Sequence, residues 1–387
     1  MASAVSSVTV VGAGVAGLRV CEGLRERGFD GRITLVGDEV EPPYDRPKLS
    51  KEVLLRPPGE VDPRLVPEHV LAGLGLDLVL GVRAERLDPR GRRVVLSDGR
   101  ALVGDRVVLA CGARAGQLPG VPDDPRIRTL RSLSDAVALR KALDAGGHLV
   151  IVGGGFIGAE VAASARLLDR AVTVVDAVEL PFARILGAEL AGRLRRIHRE
   201  RGVEMVTGRG VTSVGADRDA VRVGLAGGGA VRGDHLLVAV GARPRVDWLH
   251  GCGLALDDGV LVDAHHRTTV PEVLACGDVA NVRAADGDRR SEHWFAAAEQ
   301  AEIVARTIVG DMTPPPGSDH YFWSDFYDHH LDVAGEPTLA DRATLVDDEN
   351  GGAVLEMRRG DTLVAVAALD AGRRFRRLRR TLPGAAR

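Results

Sequence analysis

The sequence is poor in aromatic residues and paired cysteines, and its charges nearly balance. Phe, Trp and Tyr make up 3% of the 387 residues, and the net charge is −3. A nearly neutral chain lacks the basic excess of a protein that coats nucleic acid. The four cysteines, at positions 21, 111, 252 and 276, form no CxxC or CxxxxC pair. This argues against a disulfide framework, a zinc site or a redox dithiol, and it fits a reducing cytoplasm.

Long apolar runs and a targeting pattern are also missing. No stretch reaches about 18 apolar residues, the length that a membrane-spanning helix needs. The N-terminus enters a strand without a charged and then apolar leader, so we expect no signal peptide. The pairs His265-His266 and His329-His330 lack Cys or acidic residues at ligand spacing, so no metal is expected. The length suggests two or three globular domains.

Glycine, in contrast, is abundant at 48 residues, and it marks an internal repeat. A β-branched strand at 8–11 ends at Gly12-Ala-Gly14-Val-Ala-Gly17, followed by a helix at 18–27 and a strand at 32–36. About 140 residues later a strand at 149–152 leads to Gly153-Gly-Gly155-Phe-Ile-Gly158, a helix at 159–168 and a strand at 171–175. This order opens the dinucleotide-binding Rossmann fold.

Each glycine turn predicts a nucleotide site. The first glycine permits the sharp turn, the second lets backbone N–H groups approach a pyrophosphate, and the third lets helix and strand pack closely. Asp38 and Asp176 follow about 20 residues later, where an acid binds ribose hydroxyls. A carboxylate at Asp176 repels a 2′-phosphate about 4 Å away by roughly 1–4 kcal/mol, which favours NADH over NADPH by one to three decades. Glu179 adds to this effect and Arg184 opposes it.

The rest of the chain repeats the same plan and then adds a third segment. Strands are predicted at 92–96 and 101–110 in the first half, and at 220–225 and 231–240 in the second. A helix at 298–309 stops near Gly310, and Pro314-Pro-Pro316 breaks the chain. Alternating segments at 331–334, 343–346, 353–357 and 362–367 predict a small antiparallel sheet. We therefore predict an α/β protein with two Rossmann-like domains and a small α+β C-terminal domain.

Three further segments resemble a known family. Glu41-Pro-Pro-Tyr-Asp-Arg-Pro47-Lys-Leu-Ser-Lys51 resembles the PYxRPxLSK stretch of the oxygenase-coupled, NADH-dependent ferredoxin reductases. Cys276-Gly-Asp278-Val resembles their GD segment, and Glu292-His-Trp294-x3-Ala298-x-Gln300 their ExWxxAxxQ segment. The resemblance spans nearly the whole chain.

The resemblance implies FAD and NAD as cofactors and assigns roles to individual residues. Asp38 matches the acid on the adenosine ribose of FAD, Arg46 and Lys51 match residues at the pyrophosphate and beside the flavin ring, and Glu160 matches a glutamate near the nicotinamide. Lys51 would stabilise the negative charge of the reduced flavin, and Glu160 would place the nicotinamide, so these two are the candidate catalytic residues. Further cofactor contacts are implied at Ala16, Ala84, Ala110, Arg131, Phe156, Ile157, Arg184, Gly241, Gly277, Asp278, Glu292, His293 and Trp294.

The implied function is electron transfer from NADH via FAD to a [2Fe–2S] ferredoxin that serves a haem-thiolate monooxygenase or a Rieske dioxygenase. The implied domains are FAD-binding at 1–114 and 245–312, NAD-binding at 115–244, and C-terminal at 313–387. A rubredoxin or monodehydroascorbate reductase, or a non-catalytic NADH-sensing flavoprotein, remains an alternative. A flavin disulfide reductase would need a redox cysteine near the flavin, and the first helix carries Cys21 alone. Both a monomer and a homodimer remain open, and neither nucleic acid nor membrane insertion is expected.

The arginine-rich segment at 373–380 has two interpretations. Phe375, Leu378 and Leu382 follow one another at i, i+3 and i+7, on one face of a short helix. The segment is therefore either a docked helix with solvated arginines or a basic patch that steers an acidic ferredoxin. A membrane-surface helix would bury little apolar area, and an RNA-binding tail has even less support.

Overall fold

The computed structural model describes residues 5–57, 59–283, 289–315, 317–347 and 351–384. Pro316 of the predicted break, and residues 1–4, 58, 284–288, 348–350 and 385–387 of the predicted domains, lie outside these ranges. By its contacts the chain forms two compact units. Unit 1 consists of Met1–Asp45, Arg64–Arg114 and Arg243–Ser318, and unit 2 of Arg46–Pro63, Ala115–Ala242 and Asp319–Arg387.

The described residues form strands and helices in the following order. The strands are β1 Ser7–Val11, β2 Arg32–Val36, β3 Asp77–Val79, β4 Ala84–Asp88, β5 Arg93–Leu96, β6 Ala101–Val103, β7 Arg106–Leu109, β8 Ala113–Ala115, β9 Ile127–Arg128, β10 His148–Val152, β11 Ala171–Asp176, β12 Val203–Thr207, β13 Val211–Ala216, β14 Val221–Leu225, β15 Ala230–Gly233, β16 His235–Val238, β17 Ala242–Pro244, β18 Val260–Val262, β19 Val273–Ala275, β20 Ala280–Val282, β21 Arg289–Arg290, β22 Phe322–Phe326, β23 His329–Gly335, β24 Arg342–Asp347, β25 Ala353–Arg359 and β26 Thr362–Leu369. The α-helices are α1 Val15–Glu26, α2 Glu52–Leu55, α3 Glu68–Gly73, α4 Leu133–Asp144, α5 Phe156–Leu167, α6 Ala183–Glu200, α7 Trp294–Ile308 and α8 Gly372–Arg379. Short 3-10 helices cover Arg46–Ser50, Asp247–Leu249, Gly277–Val279 and Pro337–Leu339.

Unit 1 is built on a five-stranded parallel sheet in the order β19-β7-β1-β2-β3. Its central strands are buried along nearly their whole length because β-branched and aliphatic residues fill them. Helices α1 and α7 share one hydrophobic core with this sheet. Small residues let these helices lie close together: a Cβ on Gly23 would lie 3.0 Å from the Cβ of Ala305. Two three-stranded sheets, β4-β5-β6 and β18-β20-β21, complete the unit.

Unit 2 repeats the parallel sheet and adds an antiparallel one. The parallel sheet has the order β12-β11-β10-β16-β9, beside the antiparallel strands β13-β14-β15. The C-terminal chain forms a second five-stranded sheet, β22-β23-β26-β25-β24, with antiparallel neighbours throughout. Side chains of α5 and α6 pack in one core with this sheet, among them Leu186, Leu190, Phe326 and Leu331. The predicted α/β class, with two Rossmann-like halves and a small C-terminal domain, is confirmed.

The prediction of one long strand at 101–110, and of another at 231–240, was wrong. Each is two short strands, because the chain leaves an antiparallel sheet and enters the parallel one at a Gly-Asp pair. The carboxylate of Asp105 accepts hydrogen bonds from the backbone N–H groups of Ser6 (2.8 Å) and Ser7 (3.0 Å). Asp234 accepts one from the N–H of His148 at 2.6 Å. Asp105 thus fixes the start of β1, and Asp234 fixes the start of the equivalent strand, β10.

The helices after the glycine turns begin earlier than predicted. Helix α1 starts at Val15 and α5 at Phe156, each directly after the second glycine of its turn, so the third glycine lies inside the first helical turn. Helix α7 starts at Trp294, with His293 at its N-cap. Helix α4 was not predicted, although Ser132 and Asp135 form a capping box that the sequence displays.

The C-terminal sheet contains the four predicted strands and one that was missed, β22. The arginine-rich segment forms α8, and Phe375 and Leu382 are buried at 2% and 5% exposure. The apolar face of α8 is therefore docked against the fold, as the first of the two interpretations predicts. Four arginines of this segment are exposed, at positions 373, 376, 377 and 380. Within the described ranges, every helix is too short or too polar to cross a lipid bilayer.

Candidate functional site

The first glycine turn, between β1 and α1, is closed by contacts that only glycine allows. Gly12 has a φ of +121°, and a Cβ there would lie 2.1 Å from the carbonyl oxygen of Ala110. A Cβ on Gly17 would lie 1.9 Å from the carbonyl oxygen of Gly12. Gly14 caps α1 without a side-chain hydrogen bond, and among the described residues no atom lies within 4 Å of the position its Cβ would take. The turn is packed against the sheet and open at the helix N-terminus.

The second glycine turn, between β10 and α5, has the same geometry. Gly153 has a φ of +106°, and its Cβ would lie 2.2 Å from the carbonyl oxygen of Ala239. A Cβ on Gly158 would lie 2.0 Å from the carbonyl oxygen of Gly153. Gly155 caps α5 and, like Gly14, has no described atom within 4 Å of its would-be Cβ. Open N–H groups at a helix N-terminus bind phosphate, so a pyrophosphate fits both turns.

An acidic residue lies at the end of the second strand in each half. Asp38 forms an ion pair with Arg245. Asp176 is held by its own turn instead: its Oδ2 accepts a hydrogen bond from the N–H of Gly154 at 2.6 Å, and its Oδ1 from that of Val178 at 2.7 Å. A carboxylate oxygen accepts more than one hydrogen bond, so both acids keep acceptor capacity for a ribose hydroxyl.

The other predicted residues of unit 1 lie around α1 and α7. Gly277 has a φ of +73°, and a Cβ there would lie 3.0 Å from that of Ala16. Its N–H donates to Oε1 of Gln300 at 2.8 Å, which fixes the GD segment, with Asp278, against α7.

Trp294 is the first residue of α7, and Arg19 lies over its ring at 5.8 Å. Glu292 pairs with Arg290 at 2.5 Å. Ala84, the first residue of β4 in a different part of the core, and Ala110, directly after β7, are both buried.

In unit 2, Lys51 and Glu160 form a buried ion pair. The Nζ of Lys51 lies 3.2 Å from Oε1 of Glu160 and 3.1 Å from Oδ2 of Asp325. Glu160 is 7% exposed and accepts hydrogen bonds from the hydroxyls of Ser50 and Ser324, each at 2.5 Å. The hydrogen-bonded carboxylate therefore has a cation and two neutral donors around it.

The charge of Lys51 is maintained by these carboxylates. Burial lowers the pKa of Lys51, but the ion pairs with Glu160 and Asp325 outweigh burial and place the pKa above its ordinary value. The ammonium group lies 5.8 Å from the ring centre of Trp323, at a distance typical of a cation–π contact. Lys51 is thus a fixed positive charge at neutral pH.

The remaining predicted residues of unit 2 lie at other points on its surface and in its turns. The guanidinium of Arg46 donates to the carbonyl oxygen of Arg131, which places these two arginines side by side. Phe156 packs against Phe182 and Phe322, with ring centres 4.9 Å and 5.2 Å away. The others are exposed or lie in turns: Ile157 is 41% exposed, Arg184 is exposed at the start of α6, and Gly241 has a φ of +88°.

Sequence reasoning missed Ser50, Ser324, Asp325 and Trp323. Ser50 lies directly before Lys51 in the PYxRPxLSK-like stretch, but the resemblance implies no role for its hydroxyl. The other three form the sequence Trp-Ser-Asp in β22, the strand that was not predicted. The signal was the alternation of Phe322, Ser324 and Phe326 with polar or amphipathic neighbours, which is typical of a half-buried strand.

The four cysteines, all in described ranges, are free thiols. Cys21 and Cys276 are fully buried, and burial raises the pKa of both thiols, that of Cys21 to about 12. Burial also raises the pKa of Cys111 to about 11. A thiol with such a pKa is protonated at neutral pH and a poor nucleophile.

The comparisons with known proteins agree with this geometry. A family model described as pyridine nucleotide-disulphide oxidoreductase matches residues 6–301, and one described as reductase C-terminal matches residues 321–387. The ferredoxin–NAD(+) reductase component of a p-cumate 2,3-dioxygenase system from Pseudomonas putida is 36% identical over 352 residues, which cover 91% of this chain and 86% of that protein. Putidaredoxin reductase from Pseudomonas putida is 34% identical, over 85% of this chain and 80% of its own length.

A solved structure leads to the same group. The covalent putidaredoxin reductase–putidaredoxin complex matches with a TM-score of 0.90 and 31% identity, over 98% of this chain and 93% of the other. The chain therefore belongs to the pyridine nucleotide-disulphide oxidoreductase family and, within it, to the NADH-dependent ferredoxin reductases.

Proposed function

We propose that this protein transfers electrons from NADH through FAD to a [2Fe–2S] ferredoxin, which in turn serves an oxygenase. The observation that carries the proposal is the pair of open glycine turns, each at a helix N-terminus and each with an acid at the end of the next strand. One turn accounts for one dinucleotide, so two turns account for FAD and NADH together.

A ferredoxin is the proposed acceptor because the protein offers its electrons no internal disulfide. The cysteines are unpaired, and three of them are held as protonated thiols by burial. The matched relatives are reductase components of dioxygenase systems and putidaredoxin reductase. Each NADH gives up two electrons and one ferredoxin takes one, so one NADH reduces two ferredoxins and releases a proton.

FAD, when bound, supplies the step from a two-electron donor to one-electron acceptors. On the protein side, Gly14 leaves room for the FAD pyrophosphate, and Asp38 offers acceptors to its ribose. Gly155 and Asp176 do the same for NADH. We assign Lys51 the role of a fixed positive charge that stabilises a reduced, anionic ring, and Glu160 that of orienting Lys51 and the nicotinamide.

We further propose that residues 1–114 and 245–312 form the FAD domain, 115–244 the NAD domain and 313–387 the C-terminal domain. The two contact units support the separation of the FAD domain from the other two, except that Arg46–Pro63 packs with unit 2. They join the NAD and C-terminal segments in one unit. A cytoplasmic location is also proposed, and the four unpaired cysteines support it.

Stopped-flow reduction tests the function directly. The FAD-loaded protein is mixed with NADH or NADPH, the flavin absorbance is followed, and an oxidised [2Fe–2S] ferredoxin is then added. We expect faster reduction by NADH and reoxidation of the flavin at two ferredoxins per NADH. Rapid reduction by NADH without electron transfer to ferredoxins from several oxygenase systems would reject the proposed acceptor. Rubredoxin and monodehydroascorbate, added in parallel, identify the alternative reductases.

A further inference from the structure

The ion pair of Lys51 and Glu160 continues into the C-terminal sheet. Asp325 lies between Lys51 and a histidine: its Oδ2 is 3.1 Å from the Nζ of Lys51, and its Oδ1 is 2.5 Å from Nδ1 of His330. Asp325 on β22 and His330 on β23 are directly paired across the two antiparallel strands. The carboxylate therefore connects the lysine to the histidine through two different oxygens.

Both ring nitrogens of His330 face carboxylates. Nε2 lies 3.2 Å from Oδ1 of Asp332, which also accepts a hydrogen bond from the hydroxyl of Tyr321 at 2.8 Å. The neutral imidazole ring has one donor and one acceptor, so only the doubly protonated ring can donate to both acids. The hydrogen bonds to Asp325 and Asp332 raise the pKa of His330 to about 10.

The charged neighbours of His330 come from each packed element. Asp325 lies on β22, Asp332 on the same strand β23, and Asp370 directly after β26 accepts the backbone N–H of His330 at 2.8 Å. From α8, Arg379 lies over the ring of Tyr321 at 4.0 Å. Acidic groups thus dominate the immediate surroundings of the ring.

The histidine reduces a charge imbalance around Lys51. One ammonium between two carboxylates leaves a net negative charge, and Asp325 is 37% exposed and able to turn toward water. A cation at His330, which Asp325 shares with Asp332, offsets part of this negative charge and holds Oδ1 of Asp325, which leaves Oδ2 for Lys51. Lys51 is then held at nearly equal distances from two fixed acids, 3.2 Å and 3.1 Å away.

We propose that His330, as an imidazolium, is a positioning residue: it holds Asp325 and, through Asp325, keeps the ammonium group of Lys51 beside Glu160. The catalytic meaning of this arrangement rests on the proposed function, in which Lys51 stabilises the reduced flavin. The hydrogen-bond chain itself does not depend on that function.

The first experiment measures the imidazole itself. In the FAD-loaded protein, NMR titration of the histidine ring protons gives the pKa of His330, assigned by its loss in His330→Gln. We expect a midpoint well above the ordinary 6.5, near the pKa of about 10 that the two acids impose. Asp325→Asn should lower this midpoint by at least one unit, since it removes the carboxylate at Nδ1. A midpoint near 6.5 in the wild type, or no change in Asp325→Asn, overturns the proposal.

The second experiment asks whether His330 acts through Lys51. Flavin reduction by NADH is compared in wild type, His330→Gln, Lys51→Met and the double variant, with His329→Gln as the control. His329 is adjacent and pairs with Asp370 at 2.6 Å, and it makes no described contact with Asp325 or Lys51. We expect His330→Gln to slow reduction about 10-fold, since small misplacements of positioning groups cost up to 10²-fold. The double variant should be no slower than Lys51→Met.

The outcomes separate the two proposals. Additive effects of His330→Gln and Lys51→Met, or equal effects of His330→Gln and His329→Gln, reject a role of His330 through Lys51. If NADH does not reduce the wild-type flavin, the proposed function fails. The NMR titrations then decide the positioning proposal by themselves, because they require no turnover.

Discussion

The two glycine turns predict that one small change has different effects at neighbouring positions. At Gly14 the backbone has φ −97° and ψ −164°, which alanine adopts without strain, and no described atom lies within 4 Å of the new Cβ. We therefore expect Gly14→Ala to change the stability of the apoprotein by less than about 1 kcal/mol. The methyl group would instead occupy the space above the N–H groups of α1.

The expected loss is in FAD binding. A hydrogen bond to a charged group contributes about 1.5–3 kcal/mol. If the methyl group displaces one phosphate contact, the Kd for FAD should rise about 10- to 150-fold, at 1.4 kcal/mol per decade. Quenching of flavin fluorescence on titration of the apoprotein measures this Kd directly, and circular dichroism melting reports the stability of the same preparation.

The second turn supplies the matched control. Gly155→Ala makes the same change at the N-terminus of α5 and should weaken NADH without changing the Kd for FAD. Gly17→Ala differs from both, because its Cβ would lie 1.9 Å from a backbone oxygen where ordinary contacts are 3.4–4 Å. It should destabilise the apoprotein by about 1–3 kcal/mol or more. Unchanged FAD affinity in Gly14→Ala, or weakened FAD binding in Gly155→Ala, would refute the assignment of the turns.

Four further predictions concern charge and packing. Asp176→Asn keeps one acceptor for the turn but removes the charge. The rate of flavin reduction by NADH, divided by the rate with NADPH, should therefore fall by about one to three decades. An unchanged ratio contradicts the role of the carboxylate. Lys51→Met leaves Glu160 buried without its cation and should lower the free energy of unfolding in urea by about 3 kcal/mol, whereas adding Glu160→Gln should restore part of it. A loss in the double variant equal to the sum of the two single losses would show that the pair is not coupled. Burial lowers the pKa of His266 to about 4, below the unfolded value near 6.5, so the unfolded chain binds the proton first and stability falls as the pH drops from 6.5 to 4. Urea unfolding of His266→Gln across this range should show a shallower loss, and parallel curves would contradict this. Phe375→Ala should lower the melting temperature, because a ring that is 2% exposed leaves a cavity costing about 3–5 kcal/mol; an unchanged melting temperature would mean that α8 contributes nothing to the fold.

The sequence predicted the glycine turns well because their constraints are local. The three glycines of a turn lie within six residues, and a Cβ on the third is excluded by the carbonyl oxygen of the first. This part of the geometry follows from the spacing, whereas the contact at the first glycine, with Ala110 or Ala239, comes from a distant strand end. The strand–turn–helix–strand order repeats in both halves for the same reason.

The surroundings of Lys51 were predicted only in part because they are assembled over long sequence distances. Ser50 and Glu160 are 110 residues apart, and Ser324 and Glu160 are 164 apart. A serine hydroxyl or an aspartate has no spacing that identifies such a partner. The family resemblance implied roles for Lys51 and Glu160, but Asp325 and His330 become visible only when β22 and β23 pair.

The split of the two long predicted strands shows a related limit. Residues 101–110 and 231–240 are apolar enough to read as continuous strands, and the Gly-Asp pairs inside them resemble ordinary interruptions. Their meaning lies in the partner strand: Asp105 binds the N–H groups that start β1, and Asp234 binds the one that starts β10. A Gly-Asp pair inside an apolar run thus marks a change of sheet when the aspartate accepts hydrogen bonds from the backbone N–H groups of a neighbouring strand.

The two halves differ in the groups that orient the ribose-binding acids, Asp38 and Asp176. We relate this difference to how each proposed ligand is used. Asp38 is oriented by the side chain of Arg245, whereas both oxygens of Asp176 are fixed by backbone N–H groups of its own turn. A site whose acceptor is fixed before binding spends less free energy on ordering the protein. NADH must bind and leave in every turnover, so a preformed acceptor lets it bind adequately through a limited set of contacts. At the first turn the carboxylate of Asp38 is held by a side chain instead, so a ribose hydroxyl there shares the acid with the guanidinium of Arg245.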